Sequence, residues 1–228
     1  MKVIQKTLLA ALLAASAGSV MADSDSIDIK VIGQIVPAAC KPALSGGATV
    51  DYGTIKADTL KADAFTVLES KSLDFSITCD APAKVALRST DARAGSAVRP
   101  VGSSVLGVSV TEATELMGLG QADGKDIGAY GMTISRSVKL DGETTATDAI
   151  WSGDSGHTWA KSTLSDTWLG GSGKNIYSWS KSGDLVPVAF KTLSGTLNVQ
   201  AVINKGAELD LSKAVNLDGL STIQLYYL

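Results

Sequence analysis

Apolar residues recur in this chain at every second position, and that period constrains the fold more than any other feature. Leu73, Phe75, Ile77 and Cys79 share one parity, as do Tyr130, Met132, Ile134 and Val138. Val186, Val188 and Phe190 repeat the pattern, followed by Leu197, Val199, Ala201 and Ile203, then Ile223, Leu225 and Tyr227. A side-chain period of two belongs to strands with one buried face, and each run is bounded by Gly, Ser, Asp or Asn. After the N-terminal leader no stretch longer than about ten residues keeps a 3.6 period. Short helices are expected only at residues 111–119 and 209–215. Asp141-Gly142 marks a turn between strands. Pro187 cannot donate to a ladder, so an edge or a bulge is expected there. Many short strands and 23 glycines predict an all-β antiparallel sandwich.

The first 22 residues stand outside that pattern. Lys2 and Lys6 precede an apolar run over residues 8–17, and Val20-Met21-Ala22 offers the short residues of a cleavage site. This is the layout of a signal peptide, with too short an apolar run to span a bilayer. Residues 23–228 then form the exported protein, and no later run is long enough for a membrane helix.

The leader takes two of the 20 basic residues and no acidic one, so the exported part carries 18 basic against 23 acidic residues, a net charge of −5. An acidic surface argues against nucleic acid and against an anionic membrane face, both of which call for a basic footprint. Cys40 and Cys79 are the two cysteines of the chain. In an oxidising compartment one disulfide is their expected state, and closing its loop stabilises the fold by about 4 kcal/mol. Metal ligation by these thiols is disfavoured, because the chain has one histidine and no CxxC.

Residues 107–183 are rich in Gly, Ser and Thr and alternate less clearly, which suggests an elaboration on a smaller β framework rather than a separate domain. All four tryptophans, Trp151, Trp159, Trp168 and Trp179, fall within it. They suit either a sandwich core or a sugar-stacking platform. Gly153-Asp154-Ser155-Gly156 resembles the nucleophile loop of trypsin-like serine proteases. However, the single histidine, His157, stands where that family has glycine, and no distant base exists. A turn is the simpler reading. Asp91-Ala92-Arg93 reads as an ion pair or a turn anchor. Asp23, Asp25 and Asp28 lack the glycine and terminal glutamate of a calcium loop. The expectation is a protein without a catalytic site, metal or cofactor.

Residues 27–40 read I-D-I-K-V-I-G-Q-I-V-P-A-A-C. Ile27, Ile29, Val31 and Ile35 share a parity with Gly33 among them, a strand with one apolar face. It could pair within its own sheet or be given to a neighbour. Together with Ala39-Cys40, the run Phe75-Ser76-Ile77-Thr78-Cys79, the long alternating stretch 190–203 and the terminal Ile223-Gln224-Leu225-Tyr226-Tyr227-Leu228, it resembles the subunits of chaperone–usher pili, in particular the divergent β-clade fimbrial proteins and related periplasmic proteins of unclear role. The resemblance covers residues 27–93 and 187–228. Val215 stands where better-known branches carry a glycine early in the last strand, the nearest being Gly219, and the middle is longer than in a minimal pilin.

The resemblance implies an immunoglobulin-like, strand-incomplete sandwich over residues 37–228, elaborated at about 107–183, behind a donor-strand extension at residues 23–36. It implies that Ile27, Ile29, Val31, Gly33 and Ile35 enter the groove of another fimbrial subunit. Ile223, Leu225 and Tyr227 would form the C-terminal strand that meets the periplasmic chaperone before the outer-membrane usher exchanges it. The protein would pass through the periplasm to a fimbrium at the cell surface, where a host or surface glycan is a further expected partner. Burial of four aliphatic donor side chains is worth roughly 6–12 kcal/mol before ordering costs. The alternative is a self-complemented periplasmic or secreted β-sandwich that binds carbohydrate, with residues 27–35 in its own sheet.

Overall fold

The computed structural model describes residues 29–34, 38–143, 146–164 and 166–228. The leader, Ile27 and Ile35 lie outside the described residues. The chain divides into two units, Met1–Val36 and Pro37–Leu228. Within the first, residues 29–34 form neither helix nor strand.

The second unit is a β-sandwich. Its strands in chain order are β1 (Cys40–Leu44), β2 (Thr66–Val67), β3 (Lys71–Ala83), β4 (Val85–Asp91), β5 (Ser104–Val105) and β6 (Val108–Ser109). Then come β7 (Met117–Gly118), β8 (Gln121–Ala122), β9 (Lys125–Asp126), β10 (Gly128–Ile134), β11 (Lys139–Leu140) and β12 (Thr147–Ser152). The last are β13 (Ala160–Lys161), β14 (Thr167–Trp168), β15 (Ile176–Lys181), β16 (Phe190–Ile203) and β17 (Ser221–Tyr227). One sheet runs β1-β3-β16-β10-β14, with β2 and β11 attached to β16 and β7 to β10. The other runs β13-β12-β15-β4-β17. The strand pairs within both sheets are antiparallel.

The period-two pattern sets which face is buried. Phe75, Ile77 and Cys79 of β3 are buried while Asp74 and Thr78 are exposed. Opposite them lie Leu87 of β4 and Trp179 of β15. Trp179 meets Phe190 edge-on, with ring centroids 6.5 Å apart, the arrangement that aromatic quadrupoles favour. Cys40 and Cys79 face each other in the β1–β3 register and form a disulfide.

The middle region forms a further layer outside the first sheet. Val105 and Val110 pack on Val202 of β16, with Leu116 and Trp168 around them. Gly131 of β10 permits this approach: a Cβ there would lie 2.7 Å from the Trp168 ring. All seven residues of β10 are consequently buried. Asp141 and Gly142 both have positive φ, 52° and 83°, the two-residue hairpin geometry that an Asp-Gly pair favours.

The structure corrects three sequence expectations. Residues 111–119 form a turn that leads into β7, because Met117 and Gly118 pair with Tyr130 and Ala129 of β10. Residues 209–215 are not helical: Asp210 accepts hydrogen bonds from the amide and hydroxyl of Ser212, closing a local turn that competes with helix. Val186 and Val188 lie outside any strand, and Pro187 makes only an isolated bridge to Ser180, with β16 starting at Phe190.

Candidate functional site: an apolar groove along the sandwich seam

Among the described residues β1 pairs only with β3, and β17 only with β4, so each ends its sheet there. An apolar groove of about 1060 Å³ runs along this seam, bordered by Ala43 and Leu44 on β1 and by Ser221 and Ile223 on β17. Its floor is the inner face of β16, where Leu197, Val199, Ala201 and Ile203 succeed one another at every second position. Tyr130 and Met132 of β10 extend the floor.

Two irregular segments wall the groove. Residues 48–60 contribute Val50, Tyr52 and Leu60. The Tyr52 hydroxyl donates to the carbonyl of Val199 and accepts from the amide of Ala201. This phenol serves the β16 backbone between the last β3 partner, Lys71 opposite Val199, and the first β2 partner, Val67 opposite Val202. Burial pushes its pKa up. The opposite wall, residues 209–220, contributes Leu209, Leu211, Val215 and Leu217. Ion pairs hold that wall. Arg93 makes a forked pair with Asp218 through Nε and a terminal nitrogen, both at 2.9 Å. Lys213 lies 2.7 Å from Asp123. The Arg93 guanidinium holds the Asp218 carboxyl below the usual carboxylate range. Asp91 does not pair with Arg93 charge to charge: its carboxylate accepts from the amides of Arg93 and Gly118 and anchors the turn.

Of the residues singled out from sequence, Ile223 and Leu225 are half-buried on the core side of β17, alternating with exposed Thr222 and Gln224. The Tyr227 hydroxyl accepts the amide of Cys40 at 2.8 Å, tying β17 to β1. Ile29 and Val31 are 84% and 91% exposed, and Gly33 is exposed as well. So is Ile32, which has the opposite parity. Gly219, displaced from the position the resemblance suggested, lies against Tyr130, where a Cβ would come within 2.8 Å of the ring. The walls and the Tyr130–Met132 floor were missed by sequence reading. The alternation of residues 197–203 was the available signal, but it reports a buried face and not what covers it.

The Gly153–Gly156 stretch is a turn whose carboxylate, Asp154, accepts from Ser152 and Thr158. Among the described residues no cluster of His, Cys, Asp and Glu is arranged to hold a metal.

Residues 29–131 match the family described as "Protein of unknown function (DUF1120)". The chain is similar to that family. The match begins in the N-terminal unit, takes in both cysteines and ends within β10. Protein GltF of Escherichia coli strain K12 is 28% identical over 97% of this chain and 96% of its own length. The uncharacterized protein YhcF of the same organism is 29% identical over 91% and 92%.

Proposed function

We propose that the protein is a structural subunit of a surface fimbria, assembled by donor-strand exchange through a periplasmic chaperone and an outer-membrane usher, with no catalytic role. The observation that carries this reading is the seam groove, an apolar trough between two edge strands floored by alternating aliphatic side chains. An extended segment laid into it would hydrogen-bond to an open edge and place alternate side chains on the floor. Residues 27–35 have that period, with Ile27, Ile29, Val31 and Ile35 as knobs and Gly33 where the strand must come close. At strand rise nine residues span about 30 Å. The exposure of Ile29 and Val31 fits an arm offered to a neighbouring subunit, and two edge strands beside an apolar trough are an aggregation hazard that a chaperone would manage.

Deleting residues 24–32 tests this. The expected product is a folded subunit that binds its chaperone but does not enter SDS-resistant polymers when co-expressed with chaperone, usher and wild-type subunit. Co-assembly of the deleted protein into such polymers would overturn the reading. A monomer that is stable without chaperone, with its N-terminus protected from protease, would support the self-complemented sandwich instead.

A further inference from the structure

At the opposite border of the second sheet, the β12–β13 hairpin carries a small pocket unconnected with the groove residues. The pocket holds about 270 Å³ and is lined by Trp151, Gly153, Asp154, Thr158, Trp159 and Ala160. Trp151, next to last in β12, pairs with Ala160 of β13, and Trp159 immediately precedes that strand. Trp151 is 38% exposed, unlike Trp179, which is 1% exposed in the core.

The loop between the two indoles is built by its own side chains. The Ser152 hydroxyl donates to Asp154 and accepts the amide of Gly156 at 2.8 Å. Asp154 also accepts the amide and the hydroxyl of Thr158, at 2.9 and 2.6 Å. The Trp159 indole N–H donates to the carbonyl of Gly156. These bonds hold the Asp154 carboxyl well below the usual carboxylate range, so it stays ionised. An ordered loop loses little further entropy when a ligand arrives.

The geometry points to a saccharide-binding site in this hairpin, with a pyranose ring laid against the Trp151 and Trp159 indoles over Gly153. Such a ring has an apolar C–H face for an indole and hydroxyls around its rim. The volume lies just under the range of pockets that enclose a drug-sized ligand, which suits one or two rings of a longer glycan. Gly153 leaves room, since the nearest atoms to a Cβ there belong to Trp151 and Asn175, at 3.6 and 3.5 Å. A carboxylate offers about four lone-pair sites. Three are taken by Ser152 and Thr158, which leaves one for a ligand hydroxyl. An organic cation, the other ligand of aromatic boxes, is the control, since the indole faces and the ionised Asp154 attract positive charge. The site does not depend on the fimbrial reading and would serve either kind of sandwich.

The test is NMR of the indole N–H signals of the whole exported chain, titrated with methyl glycosides of glucose, mannose, galactose and N-acetylglucosamine, and with maltotriose and chitotriose. Choline is added as a cationic probe. At least one saccharide should shift the Trp151 and Trp159 signals saturably, with Kd of about 1 mM or tighter, and leave Trp179 unmoved. Trp151→Ala should weaken that binding at least tenfold. Ala160→Glu, at an exposed position, should weaken it with an unchanged melting curve even if the tryptophan variant folds poorly. Absence of any saturable shift overturns the proposal. So does binding that survives Ala160→Glu unchanged, or a response to choline without one to any saccharide.

Discussion

The two faces of β16 meet different fates. Part of its outer face is closed by the chain itself: Val202 lies under Val105 and Val110, and both polar ends of Gln200 are used, the amide donating to Leu68 and the carbonyl accepting from Leu106. Its inner face, at Leu197, Val199, Ala201 and Ile203, is buried beneath the groove walls at residues 48–60 and 209–220 and lines the bottom of the groove. The middle region covers the outer face only in part, since Thr192 and Ser194 stay exposed. On the other side two irregular walls cover the whole face, one of them fastened by ion pairs, and leave the groove between them.

Three substitutions test the contrast. The largest effect belongs to the closed end of the inner face, where Phe190 is buried against Trp179. Phe190→Ala should destabilise the fold by about 3–5 kcal/mol in urea denaturation. A loss below about 1 kcal/mol would mean that this end is as loosely packed as the trough. Next comes the outer layer. Gly131→Ala places a methyl group against Trp168 and Val105 and should cost about 1–3 kcal/mol, the usual range for overpacking. A neutral result would show that the outer layer shifts freely and does not close that part of the sheet. The smallest effect concerns the groove wall. Asp218 has a depressed pKa when folded, so its contribution is present above the ordinary value of 3.8 and is lost as pH falls below it. Asp218→Asn should lower the melting temperature slightly at neutral pH, leave it unchanged in acid, and so remove that part of the acid-side decline. An unchanged acid limb would show that the Arg93 pair does not hold the wall.

Much of the framework was legible because alternation encodes which residues of a strand face inward. β3, β16 and β17 follow directly from Phe75–Ile77, Leu197–Ile203 and Ile223–Tyr227. Residues 111–119 misled because Glu, Ala, Leu and Met favour helix locally, whereas pairing of Met117 with Tyr130 decides their conformation. The walls of the groove were illegible for a different reason. Tyr52 reaches β16 across some 150 residues of sequence, 149 to Ala201, and no local pattern announces a side chain that substitutes for a strand. The alternation of residues 27–35 was conspicuous in sequence, while the groove emerged only when β1 and β17 were brought to one seam.

The Cys40–Cys79 link also fixes how this molecule would carry load. It joins the first residue of β1 to the middle of β3, the strand most extensively paired with β16. A pull applied through the N-terminal arm passes at Cys40 directly across the sulfur bridge into β3. Residues 41–78 lie outside that covalent path, so β1 cannot be peeled from its leading end and the groove wall at residues 48–60 bears none of the tension. The β3–β16 pairs at residues 71–78 lie off that path too, so the load continues from Cys79 through the end of β3 into β4.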